Sequence, residues 1–216
     1  MTAAALIIDY AGVLTMPLRE ALTEWMVADN LDSGRFPAFM REFIVRAIHD
    51  EDGPVHGLEI GAWSAEAFEH TFAKEIADAG LGTVAAPGLL SRMFASIRPD
   101  NAMVDAVARI HAAGVRTALL SNAFGFEYPR DGWSKLFDAT VISDEVGICK
   151  PDPAIYRLAC ERLQVDPSSA VYVDDFEANV AAATALGMTG IHHISAATTI
   201  PQLAALLNLD ERDLGA

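Results

Sequence analysis

The apolar positions of this chain fall into two textures, each predicting a different kind of element. Ala4 to Ile8 is a short unbroken apolar run closed by Asp9, with Gly12 soon after; it reads as a buried strand that delivers a carboxylate to a turn. From Pro17 to about Ile97 the apolar residues recur at helical spacing. Leu18, Leu22, Trp25 and Met26 fall on one face, and Phe39, Phe43, Ala47 and Ile48 repeat the stripe. Phe68, Phe72 and Ile76 mark a third helix, with Ser64 as its N-cap and Gly80 as its stop. No part of this stretch has a convincing strand pattern, so it is predicted to be all-helical.

Beyond Pro99, helices and strands alternate. Helices are expected over about 101–113, 153–163, 178–186 and 201–207, and strands over 115–120, 139–142, 170–173 and 191–194. Such alternation predicts a parallel sheet with helices on both faces. One strand precedes the helical block and the others follow it. The simplest topology therefore joins residues 1–15 and 98–216 into one α/β core domain, with 16–97 inserted as a helical cap domain. In open α/β sheets, ligands bind at the carboxyl ends of the strands. Asp9, Ser121-Asn122 and Asp174-Asp175 all fall at such ends, so three polar clusters converge on one edge.

Length and composition narrow the partners. The 216 residues suffice for one domain with an insertion or two small ones, and 52% hydrophobic content argues against disorder. Apolar runs are too short and too often interrupted by charge to span a membrane. The amino terminus has no basic flank, so it reads as a strand rather than a signal peptide. A net charge of −15 repels nucleic-acid phosphates and anionic lipid, which argues against both as partners. A small phosphate ester binds such a protein only where a cation or backbone amides offset that repulsion. Cys149 and Cys160 indicate neither a disulfide framework nor a zinc site, and a reducing cytoplasm is expected.

The polar clusters carry unequal information. Asp9 and Ser121-Asn122, each taken alone, read more readily as turn-forming residues than as site residues. Asp174-Asp175 places two carboxylates side by side after a buried strand. One of them would suit the amino terminus of the following helix, but a hard cation relieves their repulsion, and the convergence on one edge favours metal. Lys150, one of only three lysines, stands between an apolar run and Pro151-Asp152-Pro153, a setting that holds it in place. It is expected to restrain Asp9 and to neutralise a transferred phosphoryl group, the alternative being a solvated loop lysine. None of the six histidines has ligand spacing matched by acids in its own segment. His192-His193 read as structural, and residues 49–52 as a solvated loop between cap helices.

Taken together, the segments resemble the haloacid dehalogenase superfamily over essentially the whole chain. Leu6-Ile7-Ile8-Asp9-Tyr10-Ala11-Gly12-Val13-Leu14-Thr15 resembles its first motif and Leu119-Leu120-Ser121-Asn122 its second. Lys150-Pro151-Asp152-Pro153 resembles the third, and Val173-Asp174-Asp175 with Asn179 the fourth. The helical insert, including Leu58-Glu59-Ile60-Gly61, is similar to the cap of the branch containing haloacid dehalogenases and the epoxide-hydrolase amino-terminal phosphatase. The resemblance implies a Rossmann-like core and a Mg²⁺-dependent hydrolase of a small phosphorylated metabolite, acting through an aspartyl phosphate on Asp9. It implies Mg²⁺ on Asp9, the Ala11 carbonyl and Asp175, with Asp174 nearby. Ser121, Asn122 and Lys150 are implied as substrate-binding groups, and Ser121 and Lys150 also as partners of Asp9 in the chemistry.

One departure matters. The second Asp of the first motif, the general acid and base of the phosphatases, is Ala11 here. Positioned acid–base help is worth about 10²–10⁴-fold, so a slow phosphatase is expected, or else a binding or regulatory protein that keeps the fold without turnover. Phosphonatase chemistry needs a lysine early in the insert, yet none lies between Asp9 and Lys74. Haloacid dehalogenases use no metal and lack the paired Asp174-Asp175. Both are weaker alternatives.

Overall fold

A computed structural model of the chain describes residues 3–50, 53–125 and 127–215, without the side chains of 47–49. Five strands, β1 (Ala5–Ile8), β2 (Arg116–Ser121), β3 (Ala139–Ile142), β4 (Ala170–Asp174) and β5 (Thr189–His192), form one sheet in the order β3-β2-β1-β4-β5. Every pairing is parallel. The central strand β1 is buried along its whole length, which is why it reads as an unbroken apolar run rather than an alternating one.

Side-chain alternation along β1 sorts the core into two layers. Leu6 and Ile8 face the helices α6 (Asn101–Ala112) and α10 (Ala196–Leu207), packing with Val107, Ile110, Leu203 and Leu207. Ala5 and Ile7 face the opposite way, toward Ile155, Tyr156 and Leu163 of α8 (Pro153–Leu163) and Ala183 of α9 (Glu177–Ala185). The sheet is thus covered on both faces, as expected.

Between β1 and β2 the chain forms α1 (Leu18–Ala28), α2 (Phe36–His49), α3 (Pro54–Glu59), α4 (Ala65–Asp78) and α5 (Leu89–Met93). These helices close around an apolar cluster of their own, centred on Trp25, Phe36, Phe43, Phe68, Phe72 and Ile76. Ser64 caps α4 by accepting from the Ala67 N–H at 3.2 Å, and Gly80 follows its end in the left-handed region. Truncating a fully buried ring such as Phe72 would cost about 3–5 kcal/mol.

Three details depart from the sequence reading. The last strand lies two residues earlier than expected, at 189–192, and the last helix begins at Ala196 rather than Pro201. Pro201 sits inside that helix, whose first turn is held by Ser195: its carbonyl accepts from the N–H groups of Thr198 and Thr199. The short helices α3, α5 and α7 (Ser143–Val146) lie where the sequence has no clear periodicity, since one or two turns are too short to show it. Of the expected loop over 49–52, residues 51–52 lie outside the described residues and His49 ends α2. Among the described residues, no helix is long and apolar enough to cross a membrane.

Candidate active site

Parallel pairing brings the polar strand ends to one level. Ile8 is in register with Leu119 on one side and Val173 on the other. The Asp9 N–H extends the ladder by one bond, donating to the Val173 carbonyl at 2.9 Å, and so sets Asp9 beside Asp174. The chain then turns sharply: Leu14 N–H donates to the Tyr10 carbonyl at 2.9 Å, and Gly12 N–H to Thr15 Oγ1 at 3.0 Å. Gly12 has φ +80°, and a Cβ there would stand 2.3 Å from Asp175 Oδ2. Only glycine leaves that carboxylate its place.

Lys150 is buried between two acids. Its Nζ lies 2.8 Å from Asp9 Oδ1 and 2.8 Å from Asp174 Oδ2. The Asn122 side chain fixes the lysine's backbone at both ends: Oδ1 accepts from Lys150 N–H at 2.8 Å and Nδ2 donates to its carbonyl at 3.0 Å. The second strand end therefore anchors the lysine loop, a task the sequence reading did not give Asn122. Burial alone would lower the lysine's proton affinity, but the two carboxylates outweigh it and keep the ammonium charged.

The three carboxylates differ in environment. Asp174 is fully buried and surrounded by donors: Lys150 Nζ, the Tyr172 hydroxyl, Asn179 Nδ2 at 3.1 and 3.2 Å, and the Phe176 N–H at 2.7 Å. Burial would raise its pKa, yet Lys150 and the hydrogen bonds hold it below the usual range. Asp9 is pushed upward by burial, against the pull of Lys150 and with the push of Asp174. Asp175, at the exposed rim, is raised to about 6 by its removal from water and by its charged neighbour Asp174. One oxygen from each of these acids lies within 4.8 Å of the others. Three carboxylates against one ammonium leave an excess of negative charge, and an oxygen-only donor set of this kind suits a hard divalent cation such as Mg²⁺.

Ser121 ends β2 with its Oγ 2.9 Å from the Tyr128 hydroxyl, which also donates to the Asn122 carbonyl at 3.3 Å. The Tyr128 ring packs against Tyr10 and Trp133, with centroids 5.1 and 5.7 Å away. Neither Tyr128 nor Tyr172 stood out in the sequence, since an aromatic in an apolar setting reads as core. Ala11, half-buried in the turn after Asp9, brings no acid to the site. His192 is tied to the site by its Nε2, 3.0 Å from the Asp175 carbonyl. His193 is buried, with Nδ1 2.9 Å from Thr199 Oγ1.

The helical insert reaches this edge through α3. Glu59 Oε1 accepts from Asn122 Nδ2 at 3.2 Å, and burial raises the Glu59 carboxyl to about 7. Beside it, His56 Nδ1 lies 3.5 Å from Cys149 Sγ. The sequence reading set no histidine beside acids at ligand spacing and gave the cysteines no metal role, and the fold nonetheless brings one of each together with an acid. His56 and Glu59 share one short helix, and with Cys149 they bring ligand-type atoms within 4.8 Å of one another. Cys149 lies 93 positions from His56 in the chain, too far for local spacing to disclose the grouping.

A family model for haloacid dehalogenase-like hydrolases matches residues 3–187. Among curated proteins, acyl-CoA dehydrogenase family member 10 of Mus musculus is 30% identical over 211 residues, covering 94% of this chain and 19% of that protein. (S)-2-haloacid dehalogenase 1 of Pseudomonas sp. is 28% identical over 158 residues, covering 62% of this chain and 69% of that one. This chain therefore spans about a fifth of the first relative's length. Among solved structures, a HAD family enzyme of Bacteroides thetaiotaomicron in complex with magnesium and inorganic phosphate superposes with a TM-score of 0.61. It is 22% identical, and the match covers 88% of this chain and 93% of that one. At that identity the likeness is one of fold.

Proposed function

This chain belongs to the haloacid dehalogenase-like hydrolase family, and on that premise we propose that it is a Mg²⁺-dependent phosphatase of a small phosphorylated metabolite with Asp9 as nucleophile. The observation that carries the reading is the placement of Lys150 Nζ 2.8 Å from both Asp9 and Asp174, with Asp175 completing a group of three carboxylates. The magnesium and phosphate bound by the Bacteroides enzyme on the same fold support it.

In this reading Asp9, the Ala11 carbonyl and Asp175 hold Mg²⁺, with Asp174 beside them. When bound, the ion neutralises phosphoryl charge and the surplus charge of the carboxylates. The rest is the work of this chain's own groups. An Asp9 carboxylate oxygen attacks phosphorus as the bond to the ester oxygen breaks, giving an acyl phosphate and an alkoxide that takes its proton from solvent water. Water then attacks the same phosphorus, the bond to Asp9 breaks, and inorganic phosphate departs with the carboxylate regenerated. Lys150 steadies Asp9 and the equatorial oxygens. The Ser121 hydroxyl and the Asn122 backbone contact the phosphoryl group, while the Asn122 side chain positions Lys150. Asp174, surrounded by donors, serves chiefly as the counter-charge that keeps Lys150 protonated. We take residues 1–15 and 98–216 as the catalytic core and 16–97 as a cap that closes over it and selects the leaving group.

Ala11 favours one second reading. A chain that keeps nucleophile, lysine and carboxylates but lacks the acid would bind a phosphorylated ligand without useful turnover. A screen of phosphorylated metabolites, run with Mg²⁺ and again with excess chelator, separates the two. Phosphate release that vanishes with chelator and returns with Mg²⁺ supports the phosphatase. Binding with no release supports the second reading, and full release in chelator refutes the metal assignment.

A further inference from the structure

We propose that His56, Glu59 and Cys149 form a second cation site, of the zinc class, that fastens helix α3 of the insert to the loop carrying Lys150. The proposal does not depend on which phosphate ester the chain hydrolyses.

The separation of two of the three donors is that of a bound site. His56 Nδ1 and Cys149 Sγ are 3.5 Å apart. Zinc takes thiolate sulfur at about 2.3 Å and imidazole nitrogen at about 2.0–2.1 Å, and at a tetrahedral angle those ligands stand about 3.5–3.6 Å apart. A carboxylate oxygen of Glu59 is within 4.8 Å of both. His56 and Glu59 sit three residues apart on α3, so their side chains lie on one face. Cys149 comes from the core domain, in the segment just before Lys150.

The donor chemistry separates this cluster from the one at Asp9. Thiolate and imidazole select zinc-class ions, whereas carboxylates and carbonyls select magnesium. Two cation sites of unlike preference would stand on either side of Lys150 and Asn122. Binding releases the Cys149 thiol proton to solvent and leaves a fourth position for water or another donor.

Supporting contacts hold the ligands in place. Asn122 Nδ2 donates to Glu59 Oε1 at 3.2 Å, which leaves the other carboxylate oxygen for a cation. Ser143 Oγ donates to the Glu59 carbonyl and accepts from the Ala123 N–H at 2.8 Å. Just beyond α3, Gly61 has φ +73°, and a Cβ there would lie 2.9 Å from the Asp144 carbonyl; its absence lets the end of the helix meet the core. A cation held by α3 and Cys149 together restrains movement of the insert against the core at the entrance to the candidate active site.

Cobalt titration of the full chain, with Mg²⁺ saturating the carboxylate site, tests the proposal. The expected result is a near-ultraviolet thiolate-to-cobalt charge-transfer band and tetrahedral visible absorption, both displaced by zinc. An oxygen-only site gives no thiolate band. Cys149→Ser should abolish the band and weaken cobalt and zinc binding at least about 100-fold, the upper end of the loss typical of an outer-shell change. Cys160→Ser should change neither. His56→Gln, on a partly exposed residue, should also weaken binding and decides the matter if Cys149→Ser does not fold. Absence of the band in the wild-type chain, its loss with Cys160→Ser instead, or unchanged affinity and spectrum in His56→Gln would overturn the proposal.

Discussion

The ammonium of Lys150 lies 2.8 Å from Asp9 Oδ1, with both side chains almost closed to solvent. Asp174 on the next strand shares the same ammonium at 2.8 Å. A single cation thus offsets two buried acids, and each member of the trio is costly to remove. Lys150→Ala leaves Asp9 and Asp174 unpaired, so stability should fall by about 3–5 kcal/mol, as measured by urea unfolding. In the protein that remains folded, kcat should fall by the equivalent of about 2–4 kcal/mol. Turnover close to wild type in that variant would place the chemistry elsewhere.

Ala11 sets the next expectation. Without an acid at this position, hydrolysis should depend steeply on leaving-group basicity, with aryl and acyl phosphates favoured over alkyl esters. Ala11→Asp should raise kcat mainly for alkyl esters, by at most about 10²–10⁴-fold and by less if the surrounding contacts do not orient the new carboxylate. Its charge should also weaken substrate binding, so kcat and KM must be followed separately. Alkyl-ester turnover that the substitution leaves unchanged would mean another group already supplies the proton.

Glu59 predicts a pH dependence of stability. Its carboxyl is raised from the usual 4.5 to about 7, first by burial. Between those values the unfolded chain has lost this proton and the folded chain still holds it. The folded state binds the extra proton, so its contribution to stability is complete below about pH 4.5 and is lost as pH rises through 7. Glu59→Gln has no such proton to lose. Unfolding free energies measured in chelator from pH 4.5 to 7.5 (a span of about three units bracketing the shift) should show wild type losing ground to the variant as pH rises. Parallel curves would contradict the assignment.

These residues also show what the sequence could disclose. β1, β2 and β4 were legible because a buried parallel strand is an unbroken apolar run, and the polar residue closing each run marks the sheet edge where ligands bind. Lys150 was legible through its rarity and its flanking prolines. The partners that make those residues a site were not. Asn122 bridging the Lys150 backbone, the Tyr172 donor on Asp174, and Tyr128 at Ser121 are relationships between distant segments or between residues that read as core. The same holds for His56 and Cys149. Element ends failed where context overrides local preference, as at Pro201, which lies within α10 although proline ordinarily marks a helix start.

The most direct test of the account is covalent. The chain would be mixed with an aryl phosphate labelled at phosphorus, quenched in acid during turnover, digested and mapped. The account predicts label on the peptide containing Asp9, released by hydroxylamine as an acyl phosphate should be, dependent on Mg²⁺ and absent from Asp9→Asn. Turnover with label on another residue, or label that persists in Asp9→Asn, would contradict it.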